Sequence, residues 1–177
     1  MASQPIFEKP VSVEEYLSTV YEPDCEYVDG AVEERNGGEL EHSFLQLFLG
    51  SIFMNHRSEW GIVALSEQRI QLSPNRFRVP DLVVVRANFR REPILTHPPL
   101  IAIEIQSPED TLRRTTIKAG EYLAFGIEHV WVIDPQARVA YRGTPKGLEL
   151  VRDGELSIPG TPIHVSAHEL FAELDRV

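Results

Sequence analysis

Two acidic side chains stand in apolar surroundings in the middle of this sequence. Asp81 heads the run Leu82-Val83-Val84-Val85, and Glu104 lies inside Leu100-Ile101-Ala102-Ile103-Glu104-Ile105. A carboxylate on an apolar strand is costly to bury unless it is paired or binds a metal. Alternation along the second run puts Ile101, Ile103 and Ile105 on one face and Ala102, Glu104 and Gln106 on the other. Two carboxylates on neighbouring strands repel each other. A shared Mg²⁺ or Mn²⁺ removes both penalties, because such hard cations favour carboxylate, carbonyl and water oxygens. Arg114, Lys118 and Tyr122 are spaced four apart and share one face of the helix expected next. If that face folds back over the strands, Lys118 approaches Glu104. The acids can also pair with Arg or Lys as a plain ion-pair cluster, and the residues alone leave both readings open.

The elements that must position these groups follow from periodicity and punctuation. Ser12 to Val20 reads as a short helix with a capping box, Ser12 with Glu15. Glu26 to Glu33 is a hairpin signal around Asp29-Gly30. Gly37-Gly38 breaks the chain, and Glu39 to about His56 has helical apolar spacing. Ile62–Leu65 and Arg69–Leu72 read as strands, with a turn at Ser73-Pro74-Asn75. Leu82–Val85 and Leu100–Ile105 are buried strands joined by a proline-bearing loop, Ala87 to Pro99. Ser107 as cap and Pro108 at the first helical position open a helix with Leu112, Thr116, Ala119 and Leu123 as its apolar stripe and Gly126 as its stop. His129–Ile133 is a third apolar strand, Ala137–Tyr141 and Leu148–Val151 are edge strands, and Ser166 caps a last helix, Ala167–Leu174. The order predicts one domain over residues 1–177 of the α/β (α+β) class, a mixed central sheet flanked by helices, with an N-terminal β-hairpin.

Composition removes several functions. The chain has 177 residues, enough for one sizeable core, and a net charge of −10. That charge argues against a broadly basic nucleic-acid surface, although arginines crowd the middle of the chain. No apolar run is long enough to span a bilayer, and Met1 to Gln4 carries no signal-peptide pattern. Cys25 is the single cysteine, so a reducing cytoplasm is expected. It has no evident partner base and reads as structural. His164 and His168 are four apart without the glutamate of a zinc-protease motif. No phosphate-cradling glycine loop and no Gly-x-Ser-x-Gly elbow is present. ATP use and serine hydrolysis are therefore unsupported.

Pro80-Asp81 followed by Glu104-Ile105-Gln106 resembles the PD-(D/E)XK nuclease pattern. The whole chain resembles the Uma-two family of restriction-endonuclease-like proteins. The resemblance rests on Val13 to Leu17, Glu26 to Gly30, Val79 to Leu82, Glu104 to Pro108, Lys118 with Tyr122, Gly126 with Trp131 to Pro135, and Glu169 to Phe171. It implies a restriction-endonuclease-like fold and a metal-dependent DNA endonuclease using Mg²⁺ or Mn²⁺. Asp81 and Glu104 would be metal ligands, with the Ile105 carbonyl as a third. The superfamily lysine normally stands two residues after the glutamate, where this chain has Gln106. Lys118 would replace it from the helix, orienting or helping to deprotonate water and steadying phosphate charge. Arg114 stands where relatives often carry an acid, and it could bind phosphate or displace the metal from Glu104. Glu41, beside His42, and Glu67 are candidate accessory groups, and Tyr122 a further one. A homodimer is expected from double-strand cutting, with the hairpin as a docking element. The alternative is a catalytically silent nuclease-fold module that binds nucleic acid or a protein partner.

Overall fold

The computed structural model describes residues 10–35 and 39–177. Met1 to Gln4 and the Gly37-Gly38 break lie outside the described residues. Helix α1 (Val13–Ser18) starts where Ser12 Oγ accepts the Glu15 N–H at 3.1 Å. Strands β1 (Cys25–Val28) and β2 (Ala31–Glu34) form the expected hairpin. Asp29 and Gly30 have φ of 48° and 97°, the two positive values a tight turn of this hand requires. The long helix α2 (Leu40–Asn55) and the short α3 (Arg57–Trp60) follow.

Next come β3 (Ile62–Ser66), β4 (Ile70–Ser73), β5 (Arg76–Arg78), β6 (Leu82–Arg86) and β7 (Ile101–Ile105). Helix α4 (Leu112–Phe125) leads to β8 (His129–Asp134), β9 (Val139–Thr144) and β10 (Gly147–Leu150). A small pair, β11 (Glu155–Ser157) and β12 (His164–Ser166), precedes α5 (Ala167–Leu174). The main sheet has the order β10-β9-β8-β7-β6-β3, and the hairpin belongs to a second sheet, β2-β1-β5-β4. In the main sheet β7 and β8 run parallel, joined by the α4 crossover, while the other pairings are antiparallel.

Both faces of the main sheet are covered, which is why its central strands read as continuous apolar runs. Ile101, Ile103 and Ile105 pack with Leu45, Leu49 and Phe53 of α2 and Leu170 and Phe171 of α5. Ala102 faces the other way, onto Ala119 and Tyr122 of α4. Glu104 therefore points to the α4 side, as the alternation requires. No helix among the described residues is long and apolar enough to cross a membrane.

The structure corrects the sequence reading in three places. Helix α4 begins at Leu112 with Thr111 as its cap, not at Ser107. Asp110 explains the delay: its carboxylate accepts the Ser107 N–H at 2.9 Å while its own N–H donates to the Ser107 carbonyl, closing a separate turn. The buried face of α4 is Thr115, Ala119 and Tyr122, so Leu112 is left exposed. Strand β9 is paired on both sides and is not an edge. The hairpin is built into its sheet through β1, which pairs with β5 at Tyr27–Phe77 and Val28–Arg76, and β2 is the outer strand.

The cap assignment yields a test. Thr111→Ala should cost about 1 kcal/mol of unfolding free energy in urea, and Ser107→Ala much less. A larger loss at Ser107 would return the helix start to that residue.

Candidate active site

Asp81 sits just before β6 and is held from several sides. Its Oδ2 accepts the Ile105 N–H at 2.7 Å, locking the head of β6 to the end of β7. Its Oδ1 accepts from the Arg35 guanidinium at 3.1 Å. His42 Nε2 lies 3.2 Å from the same oxygen, off the line of a hydrogen bond. The Asp81 carbonyl accepts from Gln46 at 3.0 Å and from the Glu67 N–H at 3.1 Å. Burial opposes a charged His42 ring, but the adjacent Asp81 carboxylate outweighs it and raises the imidazole pKa.

Glu104 is reached from α4. Lys118 Nζ lies 3.0 Å from its Oε2, and the Tyr122 hydroxyl donates to its Oε1 at 2.5 Å. Lys118 simultaneously pairs with Glu26 Oε1 at 2.9 Å. Glu26, on β1, is also held by Arg78 at 2.8 Å and by the Val79 N–H at 3.0 Å. Arg78 in turn donates to Glu121 at 2.8 Å. Glu26, Arg35, Asp81, Glu104, Ile105, Gln106 and Lys118 border one cavity of about 30 Å³, roughly the room for a water or an ion. Three buried carboxylates thus meet one buried cation, Arg78, and two partly buried ones, Arg35 and Lys118.

The charges are not shared evenly. Burial pushes the Glu104 carboxyl up, Lys118 opposes that, and the nearby Asp81 and Glu26 charges add to it, leaving its pKa at about 7. Burial also acts against an ionised Glu26, but Lys118 and Arg78 together overcome it and hold that group below the usual carboxylate range. Glu26 has two cations and a backbone donor; Glu104 has one shared cation and a phenol. Burial disfavours the Lys118 ammonium as well, yet Glu104 and Glu26 push its pKa up to about 12. The two carboxylates thus favour the charged form of Lys118.

The structure brings Asp81, Glu104, Ile105, Gln106, Lys118, Tyr122 and His42 together. Gln106 is tied to α4 through Thr115, its Nε2 donating to Oγ1 at 3.1 Å. Arg114 borders the cavity but pairs with Glu33 at 3.7 Å rather than with Glu104. Glu67 reaches Arg35 at 3.4 Å from the rim. Glu41 is not part of the site: it faces outward and pairs with Arg138 at 3.5 Å, because the buried face of α2 begins at His42. Glu26, Arg35 and Arg78 escaped the sequence reading. Glu26 carried the same signal as Asp81 and Glu104, an acid inside the apolar strand Cys25-Glu26-Tyr27-Val28. A roomier cavity of about 440 Å³ opens at the other end of β6 and β7, but its Glu92 is taken up by Arg90, Thr96 and His97.

The uneven titration predicts a stability signature. A carboxyl whose folded pKa is raised stabilises the fold below its ordinary value of 4.5 and loses that contribution as pH rises to about 7. Glu26 works the other way and loses its contribution only in acid. Glu104→Gln should therefore raise stability at pH 8 by on the order of 2 kcal/mol relative to pH 5. Urea unfolding of both proteins at the two pH values checks this; a change independent of pH refutes it.

Comparison with known proteins places this geometry in a family. The profile of Uma2, described as "putative restriction endonuclease", matches residues 13–146. No curated protein matches the chain. The crystal structure of "a putative nuclease belonging to DUF820" from Anabaena variabilis superposes with a TM-score of 0.80 at 24% identity, covering 93% of this chain and 99% of that one. A cryo-EM structure of a DrdV–DNA complex matches at 13% identity and a TM-score of 0.42, covering 74% of this chain and 11% of that one. The mixed sheet flanked by helices is the fold of the Anabaena protein, and the profile match spans the hairpin, both acidic strands and α4: the chain belongs to the Uma2 family.

Proposed function

We propose that this protein is a divalent-metal-dependent nuclease that hydrolyses DNA phosphodiester bonds in the cytoplasm. The observation that carries the reading is that Asp81 and Glu104 border one small cavity while a lysine favoured in its charged form stands against Glu104. The donor set fits Mg²⁺ or Mn²⁺. Among the described residues no group of three or more His, Cys, Asp and Glu side chains is arranged to hold a metal. Mg²⁺ is commonly held by one or two carboxylates, with waters and substrate phosphate completing its shell. Asp81, Glu104 and the Ile105 carbonyl would hold it here. Burial is the main cause of the raised Glu104 pKa, with the Asp81 and Glu26 charges adding to it, and a bound cation would oppose both. When bound, such a cation polarises the phosphate and lowers the pKa of attacking water.

The residues of the chain divide the remaining work. Lys118 pairs with Glu26 and Glu104, which push its pKa up and favour a role as fixed positive charge over one as base. It supplies fixed positive charge where a phosphate gains negative charge, the preorganised stabilisation that needs no rearrangement during reaction. This narrows the expectation from the sequence, in which the lysine also helped to deprotonate water. Gln106 puts a neutral amide in the usual lysine place and is fixed by Thr115. Arg35 and Arg114 border the cavity as cations for flanking phosphates.

A second reading has one observation behind it. Both acids already have cationic or phenolic partners in Arg35, Lys118 and Tyr122, the arrangement of a silent ion-pair cluster in a binding module.

Calorimetric titration of Mn²⁺ separates the two. Saturable binding to the wild type, lost in the double variant Asp81→Ala/Glu104→Ala, is expected. Metal-dependent nicking of plasmid DNA should fall by about 10²–10³-fold in Lys118→Ala. Absence of metal binding both with and without DNA would favour the silent module.

A further inference from the structure

Helix α2 has two apolar faces, and the fold uses one. Leu45, Leu49 and Phe53 are fully buried against the sheet. On the opposite side Leu40, Leu47 and Met54 are 63%, 75% and 41% exposed. These three recur every seven residues, so they stay within about 40° of one line. They form a seam about 21 Å long. From Ser43 to Asn55 the helix carries no ionisable side chain, in a chain whose net charge is −10.

Gly50 lies on the same side and adds a separate observation. A mid-helix glycine weakens a helix relative to alanine. Nothing inside the protein requires it: a Cβ at Gly50 would meet only Leu82 Cδ2, at an ordinary 3.8 Å.

We propose that α2 packs antiparallel against α2 of a second copy of this chain, about a twofold axis at Leu47. The sequence is matched for this. Counting outward from Leu47, Leu40 meets the partner's Met54, and Ser43 meets the partner's Ser51. Phe44 faces the partner's Gly50, a large side chain over an absent one. A twofold interface must be self-complementary in just this sense. Two copies that each carry −10 repel over most of their surface. A face with an uncharged centre, with Glu67 as the one ionisable residue lining the groove beside it, is where they approach with least like-charge contact. A standard interface takes about 800 Å² per partner. Helix α2 would supply its centre, and the groove of about 540 Å³ between α2 and the edge strand β3 would receive the flanking side chains. That groove ends at Leu82, and Gln46 on its wall binds the Asp81 carbonyl, so the interface would adjoin the acid cluster. The proposal is independent of the nuclease reading, since its test measures assembly alone.

Light scattering on the wild type at tens of micromolar should give twice the chain mass of 20.1 kDa. Leu47→Glu should give 20.1 kDa with unchanged circular dichroism. Under mild oxidation Leu47→Cys should cross-link to itself, whereas Leu40→Cys and Met54→Cys should cross-link only when the two are mixed. A wild-type monomer, or a dimer that survives Leu47→Glu, overturns the proposal. Self-linking of Leu40→Cys overturns the antiparallel register.

Discussion

The ammonium of Lys118, lodged between Glu26 and Glu104, is the contact on which the arrangement turns. Each carboxylate would be expensive to bury alone, and removing one partner from such a set typically costs about 3–5 kcal/mol because a bare charge is left inside. Lys118 also joins three pieces of the molecule: Glu26 stands on the small sheet, Glu104 on the main sheet, and the lysine on the crossover helix. The helix cannot shift along the sheet without breaking one pair. Tyr122, one turn further on and fully buried, fixes its rotation by donating to the same glutamate.

Against that constraint, the division of charge follows. Arg78 and the Val79 N–H give Glu26 more support than Glu104 receives. One acid is therefore fully ionised while its neighbour titrates near neutrality, the split expected of coupled buried carboxylates. Asp81 is governed by a different set, Arg35, His42 and the Ile105 N–H, so the two acids that border the cavity answer to different partners.

Much of the fold was legible because central strands and capped helices announce themselves. Leu82 to Val85 and Ile101 to Ile105 are rich in β-branched apolar residues, and Asp29-Gly30 readily takes the two positive φ values that the tight turn needs. What could not be read were elements defined by distant partners. Strand β5, Arg76-Phe77-Arg78, is only three residues long, too short for its alternation to mark a strand, and it is flanked by β1 and β4. The α4 cap was misplaced because Ser107-Pro108 and Thr111 are both acceptable starts, and only the Asp110 turn decides between them. For the site, position within an apolar strand exposed Asp81 and Glu104, and helical spacing brought Lys118 to Glu104. The same rule applied to Glu26 would have found the third acid. Arg35 and Arg78 gave no local sign, because surface arginines look alike in sequence.

The two sheets also bear on when the cavity comes into being during folding. The Glu26–Arg78 and Glu26–Val79 contacts close loops of 52 and 53 residues, while Asp81–Ile105 closes one of 24. Closures of that length cost loop entropy that local helices and hairpins do not. A nascent or partly unfolded chain would hold its acids in solvent, hydrated and without the lysine between them. The completed charge cluster is thus a property of the finished molecule, assembled only when both sheets have closed.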